Sequence, residues 1–362
     1  MTPRASRPLA LLAALLVAGG LAGPAAARPA DLPGVAHGRG ASTPAQVQAV
    51  ADYWTPERMR AARSADVLAP VVSPGQASAA DVAPGSTSRV AGRQPQAKPS
   101  RPGGGGGSTG AVTGAPWTAG TAVVGTTGKV FFTLGGSNYV CSGSAVTSGN
   151  ESTVLTAGHC LHEGPGAFAT NFAFVPGYAD GARPYGTFVA TDLWTTQQWQ
   201  ASGDFVYDVG FAEVAPVGGA TLTDTVGAQG IGFAASRTDF RYAFGYPAAR
   251  PYDGSDLIHC AGTVSRDPYG QDTLGLGCTM TGGSSGGPWL SGFSTTTGLG
   301  TLTSVNSTST PPTRAGCTAR TWAPSRSSST GPPRPPEAPR TPRRDPWPEP
   351  FRAADPARML RS

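Results

Sequence analysis

Between Ala111 and Ser307 the chain is broken into short runs rich in Val, Thr, Phe and Tyr, separated by Gly and Asn. Lys129 to Leu134, Tyr139 to Val146, Thr153 to Thr156, Phe205 to Val214, Arg241 to Tyr246 and Leu299 to Val305 are such runs. Their brevity and regular interruption predict the strands of an all-β barrel or sandwich, and no long helical period falls among them. The segment 112–307, about 196 residues, suffices for a sizeable core.

Upstream, one stretch has helical texture, Pro44 to Ala65. Thr43 and Gln46 are spaced as a capping box, with Pro44 at the first helical position. Pro56 should break or kink this helix, inside Tyr53-Trp54-Thr55-Pro56-Glu57-Arg58-Met59. Pro102 to Gly107, a proline followed by five glycines, reads as a flexible linker open to cleavage. Residues 28–111 are therefore expected to be a propeptide and linker. At the start, Arg4 and Arg7 precede an apolar run from Leu9 to Leu21, too short to cross a bilayer but suited to a signal-peptide core, and Ala25-Ala26-Ala27 offers a cleavage site. Residues 1–27 are expected to be removed on export. No later run reaches 18 consecutive apolar residues, so the mature protein is expected to be secreted, extracellular and free of the membrane.

Composition refines this picture. With 39% hydrophobic and 14% charged residues, 51 Gly and 35 Pro, a coiled coil or large helical bundle is excluded. The formal charge of +5 is concentrated at the C-terminal end, where residues 308–362 hold 10 Arg against 4 Asp or Glu and leave about −1 for the rest. The basic balance thus belongs to a tail and gives no support to a nucleic-acid-binding surface. That tail holds 13 of the 35 prolines and is expected to be disordered. Lys occurs only at Lys98 and Lys129, so 25 of the 27 basic residues are Arg, as in GC-rich genes. Out-of-frame translation of such DNA yields Arg, Pro and Ala, so a frameshift near codon 308 is a second expectation for the tail. In an exported protein the five cysteines Cys141, Cys160, Cys260, Cys278 and Cys317 read as two disulfides and one left over, Cys317 in the tail.

The chemistry gathers at two strings. Thr156-Ala157-Gly158-His159-Cys160 follows a strand and holds a histidine in a turn beside a cysteine. Taken by itself, that histidine is as readily a surface-turn residue as a catalytic base. Gly282-Gly283-Ser284-Ser285-Gly286-Gly287-Pro288 sets a serine among glycines, where the amides of Gly283 and Ser285 can converge as an oxyanion hole. The same string satisfies the elbow of the α/β-hydrolases, which place their histidine after the serine. None of the four histidines, His37, His159, His162 and His259, lies beyond Ser285, so that reading fails. His37 would leave with the propeptide, and of the other three only His159 sits in a cysteine-pinned turn. A serine hydroxyl needs an imidazole to take its proton, and the imidazole needs a carboxylate to fix its tautomer. Ten aspartates lie between His159 and Ser285. Asp208 is best placed, because Val209-Gly210-Phe211-Ala212 continues as an apolar strand that would bury it, and Asp204 is the runner-up.

His159 in TAGHC, Asp208 in DVGFA and Ser285 in GSSGGP, in that order, resemble the chymotrypsin/trypsin-like serine peptidases over about 112–307. The prepro organisation, YWTPERM and CTMTGGSSGGPW resemble more closely the secreted actinobacterial trypsin-like peptidases. The resemblance implies an all-β fold of two six-stranded antiparallel β-barrels with the active site between them. It implies attack by Ser285 on a peptide carbonyl, His159 as base then acid, Asp208 as its orienting partner, and Gly283 and Ser285 as the oxyanion hole. It further implies that Ser304, Val305 and Asn306 border the substrate backbone, and that Cys141 pairs with Cys160 and Cys260 with Cys278. Protein or peptide substrates, a monomer, and neither cofactor nor metal are expected. A zinc site from Cys160, His162 and the other cysteines lacks ligand spacing.

The chain departs from the family at several points. Ser284 stands where an aspartate commonly precedes the nucleophile, and no Ile-Val-Gly-Gly start is present, so activation is expected by removal or unblocking of the prosegment. Thr279 stands six residues before the nucleophile, where an aspartate would select basic side chains, so that specificity is not expected. Neither Val305 nor Asn306 supplies the histidine of glutamate-specific relatives. The family continues past the substrate strand into a further strand and a helix, whereas this chain turns to Pro and Arg at about Thr308. An inactive, protease-shaped exported protein that at most binds peptides is therefore the rival expectation.

Overall fold

A computed structural model describes residues 34–68, 87–96, 110–233, 235–267, 273–309 and 317–319. The expected signal peptide, the Pro102–Gly107 linker and most of the tail lie outside these residues. Six strands close a barrel: Thr127–Leu134, Ser137–Val146, Thr153–Thr156, Gly210–Val214, Phe188–Thr196 and Thr170–Pro176, the last pairing with both Thr127–Leu134 and Phe188–Thr196. The first two form a hairpin in which Leu134 faces Ser137. Gly135 and Gly136 carry its two-residue turn with φ of +53° and +76°, the left-handed pair that suits the twist of the flanking strands. Val130, Phe131, Phe132 and Val140 are fully buried, as continuous apolar strand runs require.

The second half is built on a seven-stranded sheet ordered Ser88–Val90, Gly230–Phe233, Leu299–Val305, Pro288–Ser294, Phe240–Gly245, Ile258–Thr263 and Val112–Pro116. Beside it lies a four-stranded sheet of Ser265–Arg266, Leu274–Leu276, Cys317–Ala319 and Thr308–Ser309. The tail, expected to be disordered from Thr308 onward, therefore begins with two short strands, the second laid against the Leu274–Leu276 edge. One large core runs through both halves, and a smaller one packs Ile258, Met280 and Trp289 around Cys260 and Cys278.

The strand expectations hold closely, with one difference. Only Gly210–Val214 of the run from Phe205 is a strand, because the Asp204 side chain accepts from the amide of Val206 and turns Phe205–Tyr207 into a single 3-10 turn. The helices between strands in 112–307 are five or six residues long.

The segment upstream of the linker is a docked structure. Val35–Arg39 adds antiparallel to Phe188–Thr196, Ser88–Val90 adds antiparallel to Gly230–Phe233, and Arg63–Ser64 lies parallel to Tyr139 and Val140. The expected capping box forms at Pro44–Tyr53, with Gln46 N donating to Thr43 Oγ1 and Thr43 N donating to Gln46 Oε1. Pro56 does break the helix: a second one, Pro56–Ala61, starts after Thr55, whose side chain caps it. The break turns Trp54 and Met59 inward, where both are fully buried, and Trp54 Nε1 donates to the carbonyl of Asn171 at 2.7 Å.

Replacing a buried tryptophan by alanine costs about 3–5 kcal/mol. Trp54→Ala should therefore speed amide exchange in Val35–Arg39 and Arg63–Ser64 by orders of magnitude and leave Thr127–Leu134 protected. Unchanged exchange in the first two strands would show that Trp54 is not the anchor.

Candidate active site

The strand Thr153–Thr156 ends at Ala157, and the single turn Gly158–Cys160 presents His159. The Cys141–Cys160 disulfide ties that turn to the neighbouring strand, and Cys260–Cys278 forms as well. Each closes a loop, of sequence separation 19 and 18, worth about 3 kcal/mol in the chain-entropy account. Asp208 follows the turn Phe205–Tyr207 and is buried at the root of the strand Gly210–Val214. Its carboxylate accepts three hydrogen bonds. The His159 amide donates to Oδ1 at 2.8 Å, His159 Nδ1 lies 2.8 Å from Oδ2, and the hydroxyl of Ser307 donates to Oδ2 at 2.6 Å. With Nδ1 protonated toward Asp208, Nε2 is left as the proton acceptor.

Ser285 sits on a loop that only glycine permits. Gly283 has φ +98°, and a Cβ there would lie 2.8 Å from the carbonyl oxygen of Tyr246. Gly286 has φ +80°, and a Cβ would meet Thr156 Oγ1 at 2.0 Å. The loop is fastened to both halves of the molecule. Ser142 N donates to the Ser285 carbonyl at 2.7 Å, and Ser142 Oγ donates to that of Gly283 at 2.9 Å. From the other side, Gly286 N donates to the Asn306 carbonyl and Asn306 N to that of Gly287. The amides of Gly283 and Ser285 have no acceptor among the described residues, as an oxyanion hole requires.

The resting hydrogen bond of the serine is not to the histidine. Ser285 Oγ donates to Asp66 Oδ1 at 2.9 Å, and the buried Nε2 of His159 has no partner among the described residues. Burial opposes charge on His159, but the charge and hydrogen bond of Asp208, joined by the charge of Asp66, prevail and hold it above the ordinary histidine value.

The remaining sequence candidates fall elsewhere. His162 packs edge-on against Phe168 and accepts from Gly164 N, and His259 sits among Trp117, Tyr242 and Phe244 with Nδ1 against the Ala115 carbonyl. Asp204, the alternative carboxylate, is a turn cap. Ser284 donates to the carbonyl of Thr281, and Thr279 donates through its amide and hydroxyl to that of Thr113, with Tyr252 OH at 2.7 Å. Of Ser304, Val305 and Asn306, expected beside the substrate, Asn306 contacts the loop of Ser285 directly. Its backbone holds the loop of Ser285, and its carboxamide donates to Phe244 and Ser284 carbonyls and accepts from Trp289 Nε1. Ser304 and Val305 are buried in the ladder with Trp289 and Pro288. Ser142, Ser307 and Asp66 were missed. Each acts across a long sequence separation and carries no local signature, although Ser142 does adjoin Cys141.

No known family profile matches the chain. The extracellular metalloprotease of Bacillus subtilis (strain 168) is 36% identical over 74 residues, which make up 20% of this chain and 23% of that protein. The match thus spans less than a quarter of that relative's length. Cys141, His159 and Cys160 do lie within 4.8 Å of one another, but both sulfurs are in the disulfide and Nδ1 faces Asp208, so this donor set does not fit a metal ion. Among solved structures, protease Anisep from Arthrobacter nicotinovorans is 50% identical with a TM-score of 0.53, covering 55% of this chain and 90% of that one. The thermostable serine protease AL20 from an extremophilic microorganism is 42% identical with a TM-score of 0.53, covering 56% and 93%.

In the Ser285→Ala protein, NMR titration of the His159 ring should give a midpoint above 6.5, and Asp208→Asn should lower it. A midpoint at or below 6.5 with Asp208 intact would contradict the electrostatic account.

Proposed function

Since the chain belongs to the chymotrypsin-like serine proteases, we propose that it is a secreted endopeptidase that hydrolyses protein and peptide substrates through Ser285, His159 and Asp208. The supporting observation is the buried Asp208–His159 contact of 2.8 Å, which leaves Nε2 facing away from the carboxylate and ready to accept a proton. In this reading Nε2 takes the proton of Ser285 Oγ as that oxygen attacks the carbonyl carbon. The oxyanion that forms is held by the amides of Gly283 and Ser285. His159 then gives the proton to the leaving nitrogen, the C–N bond breaks, and the acyl group stays on Oγ. Water then attacks the acyl carbon as it loses a proton to Nε2, and the C–Oγ bond breaks as Nε2 returns that proton to Oγ, which releases the acid and restores the serine. The carboxylate of Asp208 stabilises the imidazolium.

The two disulfides support an oxidising destination. Among the described residues no helix is long and apolar enough to cross a membrane. Thr279 carries no charge, so the reading assigns no preference for Lys or Arg to that position. Its hydroxyl is already engaged by Thr113 and Tyr252.

Once the upstream segment is removed, a fluorophosphonate should label the wild type and not Ser285→Ala, whatever the substrate preference. Asp208→Asn should lower kcat by about 10⁴-fold. Absence of labelling in correctly processed wild type would instead make the chain a non-catalytic relative. Ser284→Ala removes one hydrogen bond, worth about 1 kcal/mol, and should leave kcat/KM within a few-fold. A large loss there would mean that Ser284 takes part in forming the site.

A further inference from the structure

The segment that precedes the linker does more than cover the barrels, because one of its side chains reaches the nucleophile. After the buried anchors Trp54 and Met59, the chain passes along Tyr139 and Val140 as Arg63–Ser64 and coils into the single turn Ala65–Leu68. Arg63 lies over the Tyr139 ring with its guanidinium carbon 5.4 Å from the centroid, and its Nη2 donates to the hydroxyl of Tyr139. Ala65 is fully buried. Ser64 and Asp66 approach Gly282, three residues before Ser285, so closely that a Cβ there would lie 2.3 Å from Ser64 Oγ and 2.9 Å from Asp66 Cγ. Asp66 is fixed in turn by its own amide, which donates to Ser64 Oγ.

We propose that Asp66 is an inhibitory latch, a carboxylate delivered by the upstream segment that holds the hydroxyl of Ser285 away from His159. This rests on the peptidase reading above and deepens it. The hydroxyl has one proton to donate, and it donates it to Asp66 at 2.9 Å, while His159 Nε2, its acceptor in the reaction, has no partner among the described residues. The negative charge also favours protonated imidazole, which cannot take a proton from serine. A carboxylate is itself a poor electrophile: its charge repels the incoming oxygen, and oxide is not a leaving group. The segment therefore blocks the site without presenting a scissile bond to it there. None of its three strands pairs with Leu299–Val305. The contact is one hydrogen bond from the serine to a carboxylate, on a segment anchored by the buried Trp54.

The test is the rate of fluorophosphonate labelling on the uncleaved chain, read on the intact band, for wild type, Asp66→Ala and Asp66→Asn. Losing a hydrogen bond to a charged acceptor should speed labelling about tenfold to hundredfold in Asp66→Ala. Asp66→Asn, which keeps the size of the side chain and so its docking, should also accelerate labelling. Amide exchange of Val35–Arg39 should stay slow in both variants, which separates release of the latch from loss of docking. Equal labelling rates in wild type and both variants, with that strand still protected, would overturn the latch while leaving the peptidase reading intact. No labelling of any variant, even after the upstream segment is digested away, would overturn the peptidase reading and the latch with it.

Discussion

The three hydrogen bonds on the carboxylate of Asp208 are the constraint around which the rest of the molecule is arranged. Two come from His159 and fix both the backbone and the ring of that residue. The third comes from Ser307, at the end of a strand of the other half. A buried carboxylate must have such partners, because an unpaired charge inside a protein is costly. Satisfying it thus orients the imidazole and joins the two halves in one step. The loop of Ser285 is registered to the same frame from both sides, through Ser142 on the closed barrel and Asn306 just past a strand of the second sheet. A displacement of either half would be felt at Ser285, where an ångström matters to the chemistry.

The upstream segment makes sense in the same frame. It adds a strand to each main sheet, so it shields edges that would otherwise be open, and it buries Trp54 and Met59 in the main core. These contacts are spread over a large surface, whereas the contact with the chemistry is one carboxylate. Docking strength and inhibition therefore reside in different residues.

Much of this was legible in the sequence because it is local. Strand runs such as Thr153–Thr156 and Leu299–Val305 are continuous apolar or β-branched segments bounded by turn residues, and their limits agree with the structure. His159 and Ser285 stand out by a strand-turn and by a run of glycines, of which Gly283 and Gly286 take positive φ values that residues with a Cβ rarely adopt. Asp208 followed from the apolar strand behind it, yet the same reasoning extended that strand back to Phe205, because the capping role of Asp204 competes with it. What could not be read is what depends on distant pairing. Asp66 and Ser285 are 219 positions apart, Ser307 and Asp208 are 99 apart, and nothing in their neighbours marks them. The bonds of the Asn306 carboxamide to the carbonyls of Phe244 and Ser284, 62 and 22 positions away, have no local signature either. Of the tail that composition predicts to be disordered, the described residues Thr308–Ser309 and Cys317–Ala319 are short paired strands, and the pairing of Cys317–Ala319 with Leu274–Leu276 is again a distant one.

The measurement that bears most directly on this account is activity immediately after a single engineered cut within Pro102–Gly107, set beside activity after the upstream piece has been digested away. A complete site held closed by a docked segment predicts two fragments that still co-elute and remain nearly inactive, with activity appearing only as the upstream piece is lost. Full activity at the moment of the cut, with both fragments still together, would contradict it.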